Sequence, residues 1–241
     1  MSDVVLAASH GTSSPEGQAA VRRLVETVAA RMPVPVIGCH VDVEQPDVPS
    51  ALAAAAALGD RATIVPLLLS AGYHVFVDLA ESADASPIPT TVAPALGPDP
   101  RLASVLALRL ADVGLQYDDS IVLAAAGSTD SRAVEDCERM RELLAARLGR
   151  PVGLGYVSAA SPRLADAVAA ARTANPGNRV VIATYLLAPG YFADLVGRAG
   201  ADVTTAPLLT PGDTPAELVE TVVERARDQS HAILISRSNV T

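Results

Sequence analysis

The sequence predicts an α/β protein of two similar lobes, each a parallel sheet flanked by helices, related by internal duplication. Three observations carry this. Short apolar, β-branched runs alternate with Ala-, Leu-, Arg- and Glu-rich stretches, the pattern of strands buried on both faces between crossover helices. The order of those segments over residues 1–116 recurs over residues 117–241. Three phrases also repeat in the same order: "VVLAASHGTSS" (4–14) with "IVLAAAGSTDS" (121–131), "PVIGCHVDVEQP" (35–46) with "PVGLGYVSAASP" (151–162), and "RATIVPLLLSAGYH" (61–74) with "RVVIATYLLAPGYF" (179–192), at offsets of 117, 116 and 118. Chance can place one such match; three in register mark a repeat.

The first strand is expected over 3–9, where the chain is almost continuously apolar, and "SSPEG" then offers hydroxyl caps and a proline for a helix over 15–31. Strand two follows at 35–41, a helix at 47–59 entered through "DVEQPD", strand three at 62–69, a helix at 75–84, strand four at 90–94 and a helix at 100–113. After a boundary in "GLQYDDS" the second half repeats the series, with strands at 120–126, 151–157, 179–187 and 202–206 and helices at 129–148, 161–174, 190–199 and 214–229. The tail, "HAILISRSNVT", is expected to add a short edge strand or to fray. The two lobes, of about 115 residues each, are expected to face each other across a cleft.

Composition limits the function. With 241 residues, half of them hydrophobic, the chain can bury proper cores without staples. Cys39 and Cys137 lie far apart with no CxxC spacing, so neither a zinc cage nor a disulfide framework is expected, and a reducing cytoplasm is the expected location. The apolar runs stop well short of the ~18–20 residues of a membrane span, and "MSDVVLAAS" lacks a signal peptide's basic flank, so no membrane partner is expected. The net charge is −9, all eighteen basic side chains are Arg, and aromatics are 3% of the chain. Nucleic acid is therefore excluded as a general partner, for want of clustered positive charge and stacking platforms. A small anionic ligand is compatible, through local Arg residues or helix N-termini.

Parallel sheets gather function at the carboxyl ends of their strands, above all where neighbouring connections leave on opposite faces. Short right-handed crossovers favour the spatial order 2-1-3-4. His10 after strand one, Asp42 closing strand two and His74 after strand three then line one edge of the first sheet. Two imidazoles and a carboxylate there suit an open divalent-metal site facing the cleft. Taken singly, His10 also reads as a loop or capping residue and Asp42 as a turn or cap. His40 points to the same side as Asp42 by strand alternation and either competes as a ligand or packs, packing being the preferred reading. His231 falls in the tail. The set is stronger than its members: where the first lobe has His10, Asp42 and His74, the second has Gly127, Ser158 and Phe192, while the surrounding frame persists. Asp78, four residues after His74, either accepts that imidazole's second proton and fixes its tautomer or is an ordinary first-turn acid. Gly11 and Thr12 in "HGTSSPEG", with Gly72 and Tyr73 before His74, are the expected substrate contacts at a helix mouth that also reads simply as a well-capped start.

At these residues the chain resembles the CbiX/SirB-type sirohydrochlorin chelatases, class II chelatases related in fold to ferrochelatase. The resemblance rests on "LAASHGTSS", on the "…D…QP" segment after strand two, and on "LLLSAGYHVFVDL", similar to the family's G-x-H-x-x-x-D phrase. It spans the whole chain as a fused, two-lobed version of the family's half-length form, and every specific motif falls in the first lobe. It implies a chelatase-like fold, a single site per chain, and ATP-independent insertion of Fe2+ or Co2+ into sirohydrochlorin for sirohaem or cobalamin, with no cofactor beyond that metal and a monomer or homodimer as the working unit. The family's paired histidines correspond to His10 and His74 as metal-binding and catalytic residues, and its strand-two acid to Asp42, although the family usually has aromatic-x-Glu where this chain has His40-Val41-Asp42. Two alternatives stand beside it. A non-catalytic metal or tetrapyrrole carrier would use the same scaffold. A histidine-phosphatase-like enzyme would need Arg-His-Gly where the chain has Ser9-His10-Gly11, and so lacks its phosphate clamp.

Overall fold

The computed structural model describes residues 2–72 and 77–238, the last ten of these as backbone only. Its elements run β1 (Asp3–Ser9), α1 (Pro15–Ala29), β2 (Val36–His40), α2 (Val48–Ala55), β3 (Arg61–Pro66), α3 (Leu79–Asp84), β4 (Thr90–Val92) and α4 (Pro100–Asp112) in the first half. The second half runs β5 (Ser120–Ala125), α5 (Ser131–Leu148), β6 (Val152–Tyr156), α6 (Leu164–Ala174), β7 (Val180–Tyr185), α7 (Tyr191–Val196), β8 (Val203–Thr204) and α8 (Ala216–Ser238). Each half forms one four-stranded parallel sheet, in the orders β2-β1-β3-β4 and β6-β5-β7-β8. The central strands of each sheet, β1, β3, β5 and β7, are buried along almost their whole length, which is why they read as continuous apolar runs rather than alternating ones.

The helix starts follow local chemistry. Ser14, Asp47, Asp99 and Asp130 cap α1, α2, α4 and α5 by accepting a backbone N–H of the first turn, and Pro stands at the first turn of α1, α2 and α4. Several elements are shorter than the sequence suggested: α2 ends at Ala55, β4 and β8 are three and two residues long, and α7 stops at Val196. The tail departs further. Residues 231–238 continue α8 instead of adding an edge strand, because no Gly or Pro interrupts the chain from Ala216 to Ser238.

Packing joins the halves through an exchange. α4, the last helix of the first half, packs on α5 and β7 of the second; α8, the last helix of the second, packs on α1 and β3 of the first, and the two exchanged helices touch each other. One large core therefore runs through both halves, from Val5 and Leu24 through Leu106 to Leu123, Met140 and Val222, while two smaller cores lie on the outer faces of the two sheets. Arg225 of α8 fastens the exchange by donating to the carbonyl of Ala95 at 3.1 Å, and Arg101 of α4 pairs with both Asp99 and Glu224. No helix among the described residues is long and apolar enough to cross a membrane.

Candidate functional site

The carboxyl ends of both sheets open onto a cleft of about 560 Å³ between the halves, within the size range of small-molecule sites. The loops after β1 (9–13) and β3 (67–72) form one side and those after β5 (125–128) and β7 (186–193) the other. The walls are mostly apolar, with Leu67, Leu68 and Leu69 facing Leu186, Leu187 and Ala188. No Arg lines the cleft among the described residues; its polar side chains include His10, Thr12, Ser13, Glu44 and Ser128.

The strand ends arrive here for a physical reason. Gly11 has φ +92°, and a Cβ on it would lie 2.1 Å from the carbonyl oxygen of Asp42, so only glycine lets the β1 loop cross so close to the β2 loop. Backbone bonds from Val41 N to Ser9 O (2.8 Å) and from Asp42 N to His10 O (3.0 Å) then zip the two loops together. This brings His10, exposed at the end of β1, into the cleft wall with Gly11 and Thr12. Thr12 is held from three sides: its N–H donates to Glu44 Oε1 at 2.8 Å, its hydroxyl accepts from Ser14 N at 3.1 Å, and its carbonyl accepts from Gln18 Nε2 at 2.8 Å.

Asp42 takes a different place from the one its spacing suggested. The strand ends at His40, so alternation does not reach residue 42; the Asp42 carboxylate accepts the N–H of Val43 at 2.8 Å, is exposed, and is not among the cleft-lining residues. The carboxylate that does face the cleft is Glu44. A tight turn, with Val43 at φ +64° and Glu44 N donating to Asp42 O at 2.7 Å, reverses the chain and aims Glu44 back at Thr12. Sequence reasoning missed it, and its only signal was a second acid two residues on, in "DVEQP". His40 packs, as preferred, with Nδ1 2.8 Å from Ser9 Oγ and 3.7 Å from the Glu44 carboxylate.

Gly72 lines the cleft against Ser128 Oγ of the opposite half. Tyr73 and His74 lie outside the described residues. Asp78 directly precedes α3; its side chain makes no cap hydrogen bond, and its carbonyl accepts from Ser82 Oγ at 2.7 Å. Among the described residues, to which His74 does not belong, no group of three or more His, Cys, Asp or Glu side chains is placed to hold a metal. Cys137 reaches the cleft wall, but burial pushes its thiol up to about 12, leaving it a weak neutral donor rather than a thiolate ligand.

The strand registers also correct one pairing between the halves. Ser9 sits beside His40 as Ala125 sits beside Tyr156, so the counterpart of His10 is Ala126, and Gly127 is the counterpart of Gly11. Gly127 repeats the Gly11 crossing, with φ +91° and a would-be Cβ 1.9 Å from Ser158 O. Likewise Ser128 Oγ accepts from the N-cap Asp130 as Thr12 Oγ1 accepts from the N-cap Ser14. Matching "LAA" by side chain slipped the alignment by one residue. The counterpart of Asp42 remains Ser158; Phe192, paired in sequence with His74, lies on the cleft wall beside Tyr191.

Comparison with known proteins adds the following. The family model described as CbiX matches twice in succession, over residues 4–113 and 120–210. Among solved structures, SirB from Bacillus subtilis with Fe3+ superposes with a TM-score of 0.81 at 20% identity, covering 95% of each chain. The sirohydrochlorin chelatase SirB from Bacillus subtilis subspecies spizizenii in complex with cobalt gives 0.76 at 16% identity, again over 95% of each chain. CbiX, described as the terminal enzyme for biosynthesis of siroheme in denitrifying bacteria, gives 0.61 at 19%, covering 94% of this chain and 98% of that one. At these identities the superpositions establish a shared fold. A search of curated proteins finds no match by sequence.

Proposed function

From the premise that the chain belongs to the CbiX family, we propose that it is a sirohydrochlorin chelatase, a lyase that inserts a divalent metal ion, Fe2+ or Co2+, into the macrocycle in sirohaem or cobalamin synthesis. The observation that carries the reading is the double family match, whose two segments supply the two walls of one cleft. Both SirB structures were solved with a metal, iron in one and cobalt in the other.

The reaction exchanges two pyrrole protons for one metal ion, so the site must strip water from the metal and accept protons at the same place. Apolar walls of leucine on both sides suit the two faces of a flat macrocycle and exclude water from the exchange. His10 and His74 are the nitrogen ligands we assign to the incoming ion, and they act only as neutral imidazoles. For the acid, Asp42 is the residue the family resemblance indicates, and Glu44 is the carboxylate that faces the cleft; we assign proton acceptance or metal contact to Glu44 and turn capping to Asp42. We take residues 1–116 as the lobe that carries these groups and 117–241 as the lobe that completes the cleft. The metal is substrate, and the scheme requires no resident cofactor. We place the enzyme in the cytoplasm.

The test is anaerobic insertion into sirohydrochlorin, followed by absorbance, with Fe2+ and Co2+ on wild type and on His10→Ala, His74→Ala, Glu44→Gln and Asp42→Asn. We expect losses of about 100-fold or more for the histidine variants, a loss of about 10-fold for Glu44→Gln, and a change below about 3-fold for Asp42→Asn. Wild type that binds the macrocycle without accelerating insertion over metal alone leaves a carrier in place of an enzyme.

A further inference from the structure

The second half carries neither His10 nor His74, yet two of its side chains hold the loop that leads in sequence to His74. Tyr185 Oη donates to the carbonyl of Leu69 at 2.8 Å. The Cys137 side chain lies beside Ser70. Asp136 accepts the N–H of Ala71 at 2.7 Å. These are contacts across 65 and 116 residues of sequence, and they end three residues before His74.

The grip has no mirror image. By the strand registers and helix starts, the first-half counterparts of Tyr185, Asp136 and Cys137 are Leu67, Ala20 and Val21, none of which can make a side-chain hydrogen bond. The fold also makes specific room for it: a Cβ on Gly97 would lie 2.0 Å from Tyr185 Oη and 2.5 Å from Leu69 O, so glycine there keeps that bond possible. Burial keeps the Tyr185 phenol protonated as a donor, pushing it well above its ordinary value. Asp136 supplies the one formal charge, and a carboxylate bond to a backbone N–H is about twice as strong as a neutral one.

We propose that Asp136, on α5 of the second half, is a positioning residue for metal insertion that fixes the loop 69–72, whose Leu69, Ser70 and Gly72 line the cleft. The half without His10 and His74 is thus the clamp on the loop of the half that performs the chemistry. Because misplacement by about 1 Å of the wall that seats a substrate costs about 100-fold, loss of the anchor is read mainly in turnover. This inference rests on the chelatase reading for its kinetic arm and on structure alone for its exchange arm.

The experiment compares full-length wild type with Asp136→Ala, Asp136→Asn and, as a control on the same helix, the exposed Glu135→Ala. Three properties are measured: insertion of Co2+ into sirohydrochlorin, affinity for Co2+ alone by titration, and amide hydrogen exchange across residues 66–72. We expect Asp136→Ala to lower kcat by about 10- to 100-fold with KM within about 2-fold, to weaken Co2+ binding, and to speed exchange in 66–72 while the rest of the chain keeps its protection. Asp136→Asn retains an oxygen acceptor for Ala71 N–H and should recover most of the loss; Glu135→Ala should match wild type. Turnover of Asp136→Ala within 2-fold of wild type overturns the proposal, and so does an unchanged exchange pattern. If wild type itself inserts no metal, the chelatase reading fails instead, and exchange with Co2+ affinity still decides whether Asp136 holds the loop.

Discussion

Val43 and Gly11 both hold positive φ in the site, and they carry it differently. Gly11 uses a conformation that glycine tolerates, whereas Val43, a β-branched residue, is held at φ +64° and is 59% exposed. Val43→Gly should therefore raise stability by up to about 1 kcal/mol, the relieved strain being partly offset by the greater unfolded-chain freedom of glycine. Gly11→Ala should cost about 3 kcal/mol, since its methyl must displace the Asp42 carbonyl and also tolerate positive φ. Thermal and urea unfolding of the two variants check both signs; a destabilised Val43→Gly would show that the valine side chain contributes more than its backbone costs. At this scale His10, Gly11 and Thr12 were legible in the sequence because one short phrase encodes strand end, crossing and helix cap together. Glu44 was not, because the direction of its side chain depends on a reversal at Val43 that no residue propensity announces.

Among elements, the joint between α4 and β5 shows how charge fixes a connection. The Asp119 carboxylate accepts from Arg179 Nε and an Arg179 terminal nitrogen, at 2.9 and 2.7 Å, and from Gln116 N at 2.7 Å, tying the start of β5 to the start of β7; Arg150 also donates to the Asp119 carbonyl. The Arg179 hydrogen bond holds the Asp119 carboxyl below the usual carboxylate range despite its burial. A carboxyl whose folded value is depressed contributes stability that is fully present above its unfolded value of about 3.9 and is lost as pH falls through the folded value. Asp119→Asn should then cost about 2 kcal/mol at neutral pH, less than for a fully buried pair because Arg179 is a third exposed. The gap between the two proteins should narrow as pH falls below about 4, which paired urea titrations at several pH values will read. The strands that meet at this joint were plain in the sequence because burial on both faces leaves them few polar positions, Thr184 among them. The short elements β4, β8 and α7 were blurred because only two or three ladder bonds or one helical turn define them.

For the whole molecule, the duplication was legible but the exchange of terminal helices was not. An apolar stripe on α4 says that Leu102, Val105, Leu106 and Leu110 must be buried; it does not say against which sheet. The structure places that stripe on the second half and the stripe of α8 on the first. Each of those four side chains is worth about 1.5–3 kcal/mol of burial, so together they contribute about as much as the whole net stability of a typical domain, about 5–15 kcal/mol. Neither repeat is then an independent folding unit, although each looks like one in sequence. Residues 1–116 and 117–241 expressed separately should aggregate or lack a cooperative melt, and together they should form a 1:1 complex that regains the full chain's melting profile. A monomeric 1–116 that unfolds cooperatively would refute this. The same exchange explains why a lobe without ligands persists: removing it would uncover β3, free α4, and release the loop that Asp136 and Tyr185 hold beside the site.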